Sequence, residues 1–342
     1  MSPQTKELAY LGKMPVFDLH CDTLDRLALR ASSVYSDFAK QNEFEGILPH
    51  RMTSLLDNDA HLSLVRMSGY LWCQCFAVFV PDGLSPDVAW NLYQQVSDFF
   101  RKQQKAHPYQ IAKVREINEI PTILATGKSA GLLTVENASF FSDSLAPLER
   151  LERDGVRMVT LTWNGQNAIA SGNETHAGFS SFGKEVVRGL ENRRIVVDVS
   201  HLNDEGFSEL LTFARKPFAA SHSNARAICD HPRNLTDDQF KAIADRGGIV
   251  GMNFCNDFLI SEKRDPTPYD IIRHLEHWLE LGGENALALG SDYDGCDVPS
   301  WLKPADQIHV LYSAIFQAFG DDLARKIFFD NAYDFFIRSM AL

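Results

Sequence analysis

Five short apolar runs in this 342-residue chain end on a histidine or a carboxylate. They read Phe-Asp-Leu-His20-Cys-Asp22, Leu-Thr-Val-Glu136-Asn, Val-Asp-Val-Ser-His201, Ala-Ala-Ser-His222 and Leu-Gly-Ser-Asp292-Tyr-Asp294. Taken singly, each has a plainer explanation: a His-x-Asp after a strand is more often a solvated turn, and a lone Glu or His closing an apolar run is more often a packing residue. The joint pattern carries the weight, because a random scatter of polar residues does not choose the same end of five strands. Neutral imidazoles and carboxylates are the ligands that Zn²⁺ takes where thiolates are absent. His20 and Asp22 lie two apart, so on extended backbone both face one way and can hold one ion. His201 and His222 end successive runs and can hold a second. Glu136 falls between them in strand order, and its two oxygens can bridge ions roughly 3.5–4 Å apart.

Side chains from five strand ends meet only if the strands run parallel. The chain supplies the pattern: short β-branched or apolar runs alternate with longer stretches of helical period. Strands are expected at Val16–His20, Trp72–Val80, Leu132–Glu136, Arg157–Thr162, Ile195–Ser200, Phe218–Ser221, Ile249–Asn253 and Ala286–Ser291. Helices are expected at Asp87–Lys105, Leu145–Asp154, Gly183–Asn192, Asp204–Ala214, Thr236–Arg246, Pro268–Leu281, Ala305–Phe319 and Asp321–Met340. Thr236 and Gln239 have capping-box spacing, which marks a helix start. Eight strands alternating with helices predict an α/β fold of the closed (β/α)₈ TIM-type barrel kind, whose chemistry gathers at the strands' C-terminal ends. Residues 1–342 read as one metallo-hydrolase barrel domain, with 29–69 an elaborated first β-to-α connection containing at least one helix.

Composition narrows the partners. Apolar residues make up 45% and charged residues 23%, as in an ordinary globular protein. Lys and Arg total 33 against 45 Asp and Glu, a formal charge of −12 that repels phosphate backbones and anionic lipid. Neither nucleic acid nor a membrane is an expected partner. Met1–Met14 lacks the apolar core of a secretory signal, and no run approaches a membrane span, so a cytoplasmic location is expected.

The six cysteines are scattered, as reduced core thiols are. Cys73 and Cys75 share one side of a strand, but without a neighbouring pair of ligands they read as buried thiols. His50, His61, His107, His274, His277 and His309 read as surface or packing residues, whereas His176 and His231 can approach the barrel mouth. Thr126-Gly127-Lys128-Ser129 lacks the first glycine and the preceding strand of a P-loop. No nucleophile elbow and no dinucleotide fingerprint occur.

Taken in order with Thr134-Val135-Glu136, Ser223, Arg233-Asn234 and Gly290-Ser291-Asp292-Tyr293-Asp294-Gly295, these segments resemble the successive motifs of the membrane dipeptidase (renal dipeptidase) family of zinc peptidases. The likeness runs from Val16 to the C-terminus. It implies two Zn²⁺ per chain, with His20 and Asp22 on one ion, His201 and His222 on the other and Glu136 as the bridge. It also implies Asp292 as general acid/base, Arg233 as a substrate-binding residue and a possible homodimer. The expected substrate is a small dipeptide, tolerating a D-residue at its C-terminal position, cleaved by a metal-bridging hydroxide. Where well-known animal members carry Leu-Thr-His after the fourth strand, this chain reads Leu161-Thr162-Trp163-Asn164. Trp163 or Asn164 can donate one hydrogen bond to the substrate there, but neither can carry the positive charge. Without the leader or lipid-anchor signal of the animal members, the chain looks like a soluble microbial relative. The rival reading is an amidohydrolase or deaminase acting on cyclic amides. Those relatives usually open with His-x-His and bridge their metals through a modified lysine, against His-x-Asp and a glutamate here.

Overall fold

The computed structural model describes residues 12–28 and 53–341. Residues 29–52 of the expected first connection lie outside the described residues. Its remainder carries a short helix, Leu64–Met67, capped by the Ser63 side chain.

Nine parallel strands form one sheet: β1 Pro15–Asp18, β2 Leu71–Phe79, β3 Ile111–Lys113, β4 Ser129–Glu136, β5 Val156–Thr160, β6 Val196–Asp198, β7 Ala219–Ala220, β8 Ile249–Met252 and β9 Leu287–Leu289. Pairing of β2 with β4 closes the sheet into a ring of eight, and β3 lies outside it against Ser129–Gly131 of β4. The expected (β/α)₈ barrel is therefore the fold. All nine residues of β2 are buried, as expected of a parallel strand covered on both faces.

Helices form where the apolar spacing calls for them. Pro86–Ala106 starts with Pro86 in its first turn and buries Ala89, Leu92, Tyr93, Val96 and Phe100 along one stripe. Thr236 caps Asp237–Asp245 with the reciprocal Gln239 bond that the spacing predicted. The expected helix Asp321–Met340 is interrupted: Asp321–Arg325 and Asn331–Ala341 flank a π-helical turn at Lys326–Asp330. That turn brings Phe329 to 5.9 Å from Phe17, while Phe336 stacks on Phe17 at 5.6 Å. These rings close the barrel floor beneath an interior of Cys73, Cys75, Leu132, Met158 and Ile249. Cys73 and Cys75 are thus packing residues, and burial pushes both thiols well up.

Two departures have physical causes. Neither β3, only three residues long, nor the helix Ile120–Ala125, whose apolar run Pro121 interrupts, was anticipated; at the helix's first turn the missing N–H of Pro121 costs nothing. Four strands near the site also end one or two residues early: β1, β6, β7 and β9 stop at Asp18, Asp198, Ala220 and Leu289. There side chains take over from the ladder. Asp198 Oδ1 accepts from the backbone N–H groups of Ser200 and Ser221 at 3.1 and 2.8 Å. Asp18 Oδ1 accepts from Ser291 N–H at 2.8 Å.

Candidate functional site

The five strand-end segments do converge. Glu136 Oε1 lies 2.8 Å from His201 Nε2 and 3.5 Å from His222 Nε2, while Oε2 lies 3.6 Å from His20 Nε2. His20 Nε2 is 3.3 Å from Asp22 Oδ2 and 4.0 Å from Asp292 Oδ1. The His20 and His222 rings stack at 3.9 Å. Two overlapping groups, His20/Glu136/His222 and His20/Asp22/Asp292, have the spacing to hold a cation. These five residues and His201 are all buried.

The backbone bends sharply to achieve this. Of the five non-glycine residues described with positive φ, four sit at the mouth: Asn137 (66°), His201 (70°), Asp292 (58°) and Asp294 (71°). Such conformations cost energy and persist where surrounding bonds hold them. Here Asp294 exchanges two bonds with His61, accepting from its N–H at 2.6 Å and donating its own N–H to Nδ1 at 3.0 Å. His61 is therefore a tether of the mouth. At Gly295 a Cβ would lie 2.1 Å from Asp22 Oδ2 and 2.3 Å from Asp292 Oδ1, so only glycine leaves both carboxylates in place.

Hydrogen bonding fixes the tautomers of the paired imidazoles. Ser221 gives its hydroxyl proton to Asp198 Oδ2 at 2.5 Å, so its oxygen receives the Nδ1–H of His222 at 2.7 Å. The Asn164 carbonyl oxygen likewise receives the Nδ1–H of His201 at 2.9 Å, and its amide donates to Glu174 at 3.0 Å. Both Nε2 atoms are then lone-pair acceptors, and they face each other at 3.0 Å. Burial, reinforced by Arg233 and by the neighbouring histidines, holds both rings well below the usual histidine pKa and therefore neutral. Two acceptors aimed at each other and at a carboxylate oxygen repel unless a cation lies among them. Together with Asp22 Oδ1, buried without a partner, this donor set fits a bound divalent metal of the borderline kind that takes N and O ligands.

The carboxylate flank behaves oppositely. Burial opposes charge on His20, but Asp22 and Glu136 outweigh it and drive its pKa well up. Burial, then Asp22, pushes Glu136 up to about 8. Burial also raises Asp292, against the lowering pull of His20 and of the Asn253 amide, which donates to Oδ2 at 2.9 Å.

Over the cage lies a cavity of about 310 Å³, bordered by Phe79, Trp163, Asn164, His231, Arg233 and Phe258. Trp163 meets Phe79 edge-on at 5.2 Å. Arg233 Nη2 donates to the His222 carbonyl at 3.3 Å, its guanidinium lies 5.4 Å from the Phe258 ring, and its Nε has no partner among the described residues. His231 reaches this cavity, whereas His176 borders a separate hollow beside Asn203 and Arg226. The sequence reading missed Asp25. It borders the cavity 1% exposed, and burial, then the charge of Asp22, drives its carboxyl well up. Its spacing three residues after Asp22 was the available signal.

No described helix is long and apolar enough to cross a membrane. The model of the membrane dipeptidase family, peptidase family M19, matches residues 4–336. The chain is 37% identical over 179 residues to "Uncharacterized protein in pqqA 5'region" of Klebsiella pneumoniae, spanning 49% of this chain and 66% of that protein. It is 30% identical over 295 residues to "Uncharacterized protein in PQQ-III 3'region" of Acinetobacter calcoaceticus, spanning 78% of this chain and 90% of that protein. Among solved structures, a metallo peptidase from Rhodobacter sphaeroides superposes with a TM-score of 0.84 at 25% identity, covering 96% of this chain and 99% of that one. The match over nearly the whole chain, on a barrel whose strand ends gather a metal-binding donor set, means that the chain belongs to the membrane dipeptidase family of metallopeptidases.

Proposed function

We propose that this chain is a two-zinc dipeptidase that cleaves dipeptides, including those with a D-residue at the C-terminal position. The observation that carries the reading is the pair of Nε2 lone pairs 3.0 Å apart beside Glu136 Oε1. On this reading His20 and Asp22 hold one ion, His201 and His222 hold the other, and Glu136 touches both. Zinc in such a cage supplies Lewis acidity, which lowers the pKa of water towards about 7 and polarises a carbonyl.

The remaining work falls to the chain. Asp292 Oδ1 accepts the proton of the attacking water and returns it to the leaving amine, and its raised pKa suits both directions of transfer. Asn253 fixes the other oxygen of that carboxylate. Arg233, buried with its Nε unspent, clamps the substrate carboxylate. Trp163 walls the cavity and offers its indole N–H to the scissile carbonyl, while Asn164 contributes to the same wall and orients His201. The Rhodobacter sphaeroides protein was crystallised with a phosphinate mimic of the dipeptide L-Ala-D-Ala, which supports the tolerance for a D-residue.

Metal analysis of the purified protein coupled to an assay on L,L- and L,D-dipeptides and on cyclic amides tests the proposal. About two zinc ions per chain and dipeptide turnover that chelation abolishes are expected. Absence of bound metal, or turnover confined to cyclic amides, overturns it.

A further inference from the structure

Two buried groups, one basic and one acidic, border the cavity on different sides of the cage, and each keeps an atom without a partner among the described residues. Arg233 lies on the imidazole side: it donates to the His222 carbonyl, and its Nε is unspent. Asp25 lies on the carboxylate side, one helical turn beyond Asp22, whose carbonyl accepts its N–H at 3.1 Å. Asp25 Oδ2 accepts from Phe79 N–H at 2.9 Å, and Oδ1 is buried without a hydrogen bond among the described residues. A buried carboxylate oxygen left unsatisfied costs free energy, so its retention beside a ligand cavity calls for a donor supplied by the ligand. A guanidinium on one side of the reacting centre and a carboxyl on the other, which an arriving ammonium would favour in its charged form, match a short zwitterion whose scissile bond lies between its charged ends.

We propose that Asp25 binds the α-ammonium group of the substrate's first residue and so restricts the enzyme to peptides with a free N-terminus. This rests on the dipeptidase reading above. With Arg233 on the carboxylate and Asp25 on the ammonium, the site measures a two-residue length: N-acylated peptides leave Asp25 unpaired, and longer peptides cannot place both termini at once.

The test compares kcat/KM for alanyl-alanine with that for propionyl-alanine, the same molecule with hydrogen in place of the amine, on zinc-loaded protein. The wild type is expected to favour alanyl-alanine strongly. Asp25→Asn keeps an acceptor for Phe79 N–H and removes only the charge. It is expected to shrink that preference on the order of 100-fold, mostly through KM, as for loss of one partner of a buried charge pair. Asp25→Glu, which restores the charge, is expected to recover most of the preference. Equal losses on both substrates would assign Asp25 a structural role and overturn the proposal. So would an unchanged ratio in Asp25→Asn, or parity of the two substrates in the wild type, which needs no variant at all. A wild type that is folded and zinc-loaded but turns over no dipeptide sinks the dipeptidase reading instead.

Discussion

On one flank of the cage Asp198 reaches from β6 to Ser221, the residue before His222; on the other Asp18 reaches from β1 to Ser291, the residue before Asp292. Each aspartate takes both the N–H and the hydroxyl of its serine, with Oγ distances of 2.5 and 2.6 Å. The same brace therefore closes two strand pairs, yet it delivers different chemistry. Ser221 passes its orientation on to an imidazole through Nδ1, which leaves a neutral nitrogen ready for a metal. Ser291 accepts from Tyr293 N–H at 3.1 Å and shapes the turn that presents Asp292. One flank thus presents neutral imidazoles, whereas the other crowds carboxylates against His20, where the raised pKa values favour protons that a bound cation would have to displace. The proton acceptor of the proposed mechanism lies on this second flank, where raised pKa values already exist.

The largest effect that could break this division is at Asp292. On the proposed mechanism, Asp292→Asn is expected to lower kcat about 10³-fold while bound metal is retained, as removal of a general acid/base does. Unchanged turnover, or loss of metal together with activity, would move Asp292 out of that role. A smaller effect separates the braces: Ser221→Ala removes the acceptor for His222 Nδ1–H and should weaken metal binding about 10–100-fold, read by competition with a chelator. Ser291→Ala touches no imidazole, so equal loss of metal in that variant would erase the distinction between flanks.

The smallest effect supplies a control outside both flanks. His274, buried between Ala225 N–H and the Leu259 carbonyl, is held down to about 4 mainly by burial. Its folded pKa lies below the unfolded value of about 6.5, so the unfolded chain binds more protons between those limits and stability falls as pH falls through that window. Denaturant titrations of metal-free protein should lose about 1 kcal/mol from His274 between pH 6.5 and 5.5, added to the same-signed losses from His201 and His222, and His274→Gln should make the slope shallower by that share. If His274→Gln keeps the slope, the protons come from elsewhere in the fold.

Much of this was legible beforehand. The eight barrel strands, and the clustering of His20, Asp22, Glu136, His201, His222 and Asp292, followed from the position of each polar residue at the end of an apolar run. The braces were visible as letters, since Asp18 and Asp198 stand in the quoted motifs, but nothing in spacing alone says that their carboxylates replace the last rungs of the ladder. Strand ends were overestimated for that reason. Asn164 stood out only as a substrate contact, because its bond to His201 crosses 37 residues of sequence and depends on where the loop after β5 folds back. Asp25 escaped for a related cause: a carboxylate in a helix usually faces solvent, and only the packing around Phe79 buries this one.

The aromatic floor made by Phe17, Phe329 and Phe336 turns the barrel into a cul-de-sac. Whatever enters over Trp163 and Phe258 must leave by the same opening, and on the dipeptidase reading two free amino acids would share that exit after cleavage. Traffic at the doorway, as much as bond breaking at the bottom of the well, then sets how quickly the next substrate can be seated.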